Sequence, residues 1–214
     1  MTKSILVFMT LALVVLAGCG KQPAAEDNAS SSAGAGETSG RAFFAKDVMA
    51  AWEKAGAKVG WLRTDFEGNL WFSEGTSTTY VNGPITDGDV PAFEFEKWPE
   101  GGLTDLPEPA IDFGLDLTST RVTDKQLADI ARFENLVALD LENTNIGDVG
   151  ADVLASLPKL RYLNLHNADL TDAGLTALAQ IKTLRYLDVI GMNVQRSTIY
   201  QVQKAIPGCV MFYR

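Results

Sequence analysis

The sequence predicts an α/β fold: a short solenoid with a parallel sheet on its concave face and helices on its convex face, preceded by a small aromatic-rich α+β cap. Three observations lead there. The phrase LDLTSTRVTD at 115–124 returns as LDLENTNIGD at 139–148, LNLHNADLTD at 163–172 and LDVIGMNVQR at 187–196, at intervals of 24 residues. No single copy can bury its own apolar residues, so the copies must stack. All four tryptophans, Trp52, Trp61, Trp71 and Trp98, precede the first copy, where a stack needs a cap over its open apolar edge.

The chain has 214 residues, room for one domain and a smaller module. A net charge of −9 opposes binding to nucleic acid and to anionic membrane surfaces. One histidine and two cysteines are too few for a Cys/His zinc site. No metal or cofactor is expected.

Residues 1–18 read as a signal peptide. Lys3 supplies positive charge, and Ile5–Leu16 form an apolar run of twelve residues, short of the roughly 20 that span a bilayer. Leu16-Ala17-Gly18-Cys19 resembles the lipobox of bacterial lipoproteins. That resemblance implies cleavage before Cys19, a diacylglycerol on its thiol, and commonly an acylated amine; more than one chain gives stable anchoring. An ordinary signal peptide cut nearby and an uncleaved anchor are the other readings. Gly20, where an aspartate would favour inner-membrane retention, points to the outer membrane. Residues 19–40 comprise this cysteine and a tether of Ala, Ser, Gly and a few charges. Such a segment cannot order itself and reaches about 25 Å root-mean-square. With Cys19 lipidated, Cys209 has no disulfide partner and reads as a small packed residue.

Residues 41–110 form the aromatic module. Phe44, Val48 and Trp52 recur at helical spacing, beside Ala51 and Ala55, in a helix ending near Gly56. AKVGWLRTD (57–65) and LWFSEG (70–75), joined at FEGN (66–69), read as a hairpin. Residues 76–91 read as loop, and AFEFEKW (92–98) as another strand. A cap explains these aromatics better than a ligand platform does.

Residues 111–214 hold the repeats. Leu115, Leu139, Leu163 and Leu187 share one column, and the next interval falls on Met211, a fifth strand. Leu117, Leu141, Leu165 and Val189 form the second inward column, with period-two spacing. Val122, Ile146, Leu170 and Val194 form another, and Leu136, Leu160 and Leu184 another. Helix-side columns are Leu127, Ala151, Leu175 and Ile199, then Ile130, Leu154, Leu178 and Val202. Thr120 and Thr144 suit a turn; Ala168 and Met192 break that column. Thr123-Asp124 and Thr171-Asp172 suit helix N-termini, with Gly147-Asp148 and Gln195-Arg196 weaker versions. This pattern resembles the leucine-rich repeat family in a bacterial 24-residue form. The resemblance implies function by binding rather than catalysis.

Alternation directs the intervening residues to the concave face, where they are expected to meet solvent. Asp116, Asp140, Asn164 and Asp188 form one column; Gly114, Ala138, Tyr162 and Tyr186 another; Thr118, Glu142, His166 and Ile190 a third. Arg161 and Arg185 stand just before the tyrosines. Neighbouring carboxylates about 4.8 Å apart would repel by roughly 3.5 kcal/mol at an effective dielectric near 20. The candidate ligand-binding set is Asp116, Asp140, Glu142, Arg161, Tyr162, Asn164, His166, Arg185, Tyr186 and Asp188. The same column also suits a solvated face that only follows the repeat. A flat sheet encircles a divalent cation poorly. His166 can be paired with Asp140 or Glu142 as acid and base, but no nucleophile or phosphate loop accompanies it.

The expected function is therefore a lipid-anchored envelope protein acting as a non-enzymatic interaction module, its concave face taking a protein or peptide. A carbohydrate or cell-wall ligand is the alternative, and an enzyme of unknown class a third. The strand at Met211 leaves an open edge through which the chain could self-associate; the oligomeric state is left open.

Overall fold

The computed structural model describes residues 43–64, 70–75 and 89–213. The expected signal peptide, Cys19 and tether, the 66–69 turn and residues 76–88 of the expected loop lie outside them.

The elements in chain order are α1 (Lys46–Lys54), β1 (Lys58–Thr64), β2 (Leu70–Glu74), β3 (Val90–Glu94), β4 (Phe113–Asp116), α2 (Asp124–Leu127), β5 (Leu136–Asp140), α3 (Asp148–Leu154), β6 (Tyr162–Asn164), α4 (Asp172–Leu178), β7 (Tyr186–Asp188), α5 (Arg196–Ala205) and β8 (Val210–Phe212). The strands form one curved mixed sheet in the order β2-β1-β3-β4-β5-β6-β7-β8. The expected hairpin is present: β1 pairs antiparallel with β2 and, on its other side, with β3. From β3 onward every pairing is parallel. Leu187 stands opposite Met211, as the 24-residue interval requires.

Two boundaries differ from the sequence reading. Val90 and Pro91, read as loop, belong to β3 and pair with Leu62 and Trp61. Pro91 is tolerated because β3 meets β4 only from Ala92 onward, so its missing N–H breaks no bond on that side. The strand expected over 92–98 stops at Glu94.

One apolar core runs from Phe44 to Met211. At its first end the aromatics pack on one another. The Phe93 ring stacks on Phe44 at 4.2 Å and on Trp52 at 4.1 Å, and Phe113 meets Phe133 edge-on at 5.5 Å. Trp52 is fully buried, and its Nε1 donates to the Pro107 carbonyl at 2.9 Å, so the ring serves the core and its one polar atom is satisfied. These aromatics cover the first repeat, as a cap must.

Three hydrogen-bond ladders fix the repeats. Thr120 and Thr144 donate through Oγ1 to the Leu117 and Leu141 carbonyls, each at 2.6 Å. On the convex side, each helix-start aspartate bonds the following repeat. Asp124 accepts the Gly147 N–H at 2.8 Å, Asp148 those of Thr171 at 2.8 Å and Gly174 at 3.0 Å, and Asp172 that of Gln195 at 2.8 Å. The Thr171 hydroxyl, donating to Asp148 Oδ2 at 2.6 Å, and then the Thr171 N–H hold the Asp148 carboxyl below the usual carboxylate range, and the Gln195 N–H does the same for Asp172. The third ladder lies on the concave face.

Candidate functional site

The column Asp116, Asp140, Asn164, Asp188 was expected to meet solvent, and it does not: all four residues are buried, Asp140 to 2% exposure. Each side chain bends back along its own chain, and its Oδ1 accepts the N–H two residues on. Thr118 donates to Asp116 at 2.9 Å, Glu142 to Asp140 at 3.0 Å, His166 to Asn164 at 2.9 Å and Ile190 to Asp188 at 2.8 Å. These local turns let the backbone leave each strand sharply. Ser119, Asn143, Asn167 and Gly191 follow in left-handed conformation, with φ of 58°, 55°, 56° and 82°. The column is therefore a structural ladder first.

The burial has an electrostatic consequence. Asp116 and Asp140 are registered neighbours on β4 and β5. Burial and then the Asp116 charge push the Asp140 carboxyl up to about 7. Burial also raises Asp116 and Asp188. Asn164 interrupts the run, its Nδ2 donating to Asp140 Oδ2 at 3.2 Å and to Glu142 Oε2 at 3.3 Å.

The concave face is not uniformly open. Leu62, Ala92 and Ala138 are fully buried there, with Leu70, Phe72, Val90 and Tyr162 packed against them. Leu62 lies over β4: a Cβ on Gly114 would stand 2.7 Å from Leu62 Cδ1. Thus Gly114 and Ala138, also expected to face solvent, are closed over by the β1–β2 hairpin and Tyr162, and what remains accessible shifts toward β6–β8.

There the rings of Tyr162 and Tyr186 stack, 5.1 Å apart and 10° from parallel. Tyr162 thus has Tyr186 on one side and the apolar cluster on the other. Tyr186 stands next to Val210, which is 47% exposed. Glu142 and His166 are half-buried one step along the strands. Arg161 and Arg185 lie exposed at the opposite rim. Arg161 Nη2 is 3.4 Å from Asp112 Oδ2, and Arg185 Nη1 donates to the carbonyls of Thr183 and Leu184. The face is thus banded: arginines at the start of the strands, tyrosines in the middle, carboxylates at the far end.

His166 Nδ1 stands 4.0 Å from Asp188 Oδ2, so its neighbour is Asp188 rather than the Asp140 or Glu142 pairing drawn from the sequence. Among the described residues no group of three or more His, Cys, Asp and Glu side chains is arranged to hold a metal ion. Cys209 packs half-buried against the core, and burial pushes its thiol up to about 11.

Val210 and Phe212 were missed as members of this face. The repeat interval could have found them, since they stand in register with Tyr186 and Asp188.

Residues 134–193 match the family model described as a leucine rich repeat, and the fold is that of a leucine-rich repeat solenoid. No curated protein matches. A solved structure titled "Crystal structure of PEPR1-AtPEP1" is similar, with 16% identity, a TM-score of 0.36 and coverage of 78% of this chain. The chain spans 24% of that structure's length.

Proposed function

We propose that this chain is a non-enzymatic interaction module that binds a protein or peptide on the concave face over β6–β8. The observation that carries this reading is the uneven closure of the face. Its first half is filled by the chain's own hairpin, while Tyr186 and Val210 stay accessible beside Glu142, His166 and the rim arginines. An apolar contact rimmed by hydrogen-bonding groups of both charges suits a polypeptide segment. The stacked pair leaves the Tyr186 ring partly exposed, which keeps a glycan as the second reading, with a narrow stacking surface.

We further propose that the chain is exported and held in the cell envelope by lipid on Cys19, at the outer membrane, with residues 21–40 as the tether. The lipobox resemblance supports this; among the described residues no helix is long and apolar enough to cross a membrane.

Binding is tested by immobilising the chain and a Tyr162→Ala/Tyr186→Ala variant and passing envelope extract over both. A partner retained by the first and lost from the second supports the concave face. Equal retention removes it. The anchor is tested by labelling cells with radioactive palmitate: label should enter the chain and vanish in Cys19→Ala, and label that persists in the variant refutes the assignment.

A further inference from the structure

The concave ladder ends unevenly, and its last member is the informative one. Asp140 has both carboxylate oxygens bonded, Oδ1 to the Glu142 N–H and Oδ2 to the Asn164 amide. Asp188 has only its Oδ1 bonded, to Ile190 N–H at 2.8 Å. The next strand sets Phe212 beside it where a donor would have to stand. Its Oδ2 meets no hydrogen-bond donor among the described residues; the imidazole of His166 stands off at 4.0 Å. Asp188 is nevertheless buried, at 7% exposure. No lysine or arginine among the described residues forms an ion pair with Asp188 or Glu142; Lys58 serves Glu94 and Glu96 instead.

Unlike a fully enclosed orphan, this oxygen still reaches solvent, so a charged or donating group from outside can bond it without displacing a protein partner. The surroundings say what kind of group fits. Tyr186 lies two residues before Asp188 on the same face, and Phe212 lies in register on the next strand. A carboxylate with aromatic residues at neighbouring positions, two residues before it and in register on the next strand, matches a cation on an apolar stem, whose stem packs on such rings while its head bonds the oxygen.

We propose that Asp188 is the recognition point for a lysine or arginine side chain of the bound peptide, the cation sitting between Tyr186, Phe212 and His166. This rests on the peptide-binding reading above and adds polarity to it. The rim arginine Arg185 is three residues from Asp188, roughly 10 Å along the strand. A peptide lying along the strands meets positive charge at one end of the face and negative charge at the other.

The test is a phage-displayed random peptide library panned against the full chain in detergent micelles, with enriched peptides then measured on Asp188→Asn and Tyr186→Ala variants. The Asp188→Asn variant is expected to fold, because Asn164 already holds the same ladder position with the same backbone bond at 2.9 Å. The expected result is enrichment of a basic residue next to an apolar one, with at least a tenfold loss of affinity in Asp188→Asn and a comparable loss in Tyr186→Ala. Enriched peptides that lack a basic residue, or that bind Asp188→Asn unchanged, overturn the inference. If those peptides are still lost on Tyr186→Ala, the concave-face reading survives alone. If nothing is enriched, or if binding ignores both substitutions, both readings fall.

Discussion

Replacing Asp116 with asparagine should stabilise the protein at pH 8 and leave it nearly unchanged at pH 4. The reason lies in the registered pair Asp116 and Asp140 on β4 and β5. With both ionised about 5 Å apart, they repel by roughly 3 kcal/mol at an effective dielectric near 20. The folded protein avoids this by keeping a proton: Asp140 rises from 3.8 to about 7. Because its folded value lies above its unfolded one, Asp140 contributes fully below pH 4, and that contribution is lost as pH rises through about 7. A shift of that size corresponds to ~4 kcal/mol of stability lost by pH 8. Burial is the larger cause of the rise and persists in the variant, so the charge of Asp116 accounts for the smaller part. Asp116→Asn keeps the turn bond to Thr118 N–H through its Oδ1, and its amide can face Asp140 as Asn164 does from the other side. The expected gain at pH 8 is about 1–2 kcal/mol. Urea unfolding of both proteins at half-unit steps from pH 4 to 8 measures it, with equal m-values required for the comparison. Parallel pH profiles, or a variant less stable than the parent at pH 8, would show that the two carboxylates do not interact as described.

The convex ladder gives the opposite pH dependence. Asp148→Ala removes bonds to Thr171 N–H, Thr171 Oγ1 and Gly174 N–H; allowing for its partial exposure, the cost is about 2 kcal/mol at pH 7. Its folded value is depressed, so this contribution is present at neutral pH and fades below about pH 4, where parent and variant melts should converge. Gly174→Ala should destabilise by about 2 kcal/mol in chemical denaturation, despite alanine's better helix propensity. Its Cβ would stand 2.3 Å from Asp148 Oδ1 and 3.1 Å from Asp148 Cα. Cys209, its thiol raised from 9.0 to about 11, should react with iodoacetamide at pH 8 at least about tenfold more slowly in the folded protein than in urea. Equal rates would mean that the thiol is not packed.

Most of the architecture could be read from the sequence because it repeats. A column recurring every 24 residues reports a neighbour in space as well as in the chain, and Leu115, Leu139, Leu163 and Leu187 are buried accordingly. The misreading of the aspartates had a local cause. Alternation says which side of a sheet a residue leaves from; it does not say that a short polar side chain will turn back to bond its own backbone. The signal was the column Ser119, Asn143, Asn167, Gly191, rich in residues that accept positive φ. The closing of Gly114 by Leu62 was out of reach, since one hairpin residue crossing over the sheet has no period.

The site and the regularity of the array are related by one physical argument. A repeat position whose hydrogen bonds are completed by the neighbouring repeat has little capacity left for a ligand. In the middle of the concave ladder Asn164 occupies Asp140, and on the convex side Asp148 is saturated by Thr171 and Gly174. Toward β8 the pattern runs out of partners. The turn threonine is already lost at Ala168 and again at Met192, Gly191 replaces the asparagine, and Phe212 stands beside Asp188. Val210, Tyr200 and Tyr213 are exposed in the same last stretch. On the proposed reading, binding therefore belongs where the repeat stops satisfying itself. That places the face to be tested over β6–β8 rather than at the centre of the carboxylate row, where an alignment of repeats alone would put it.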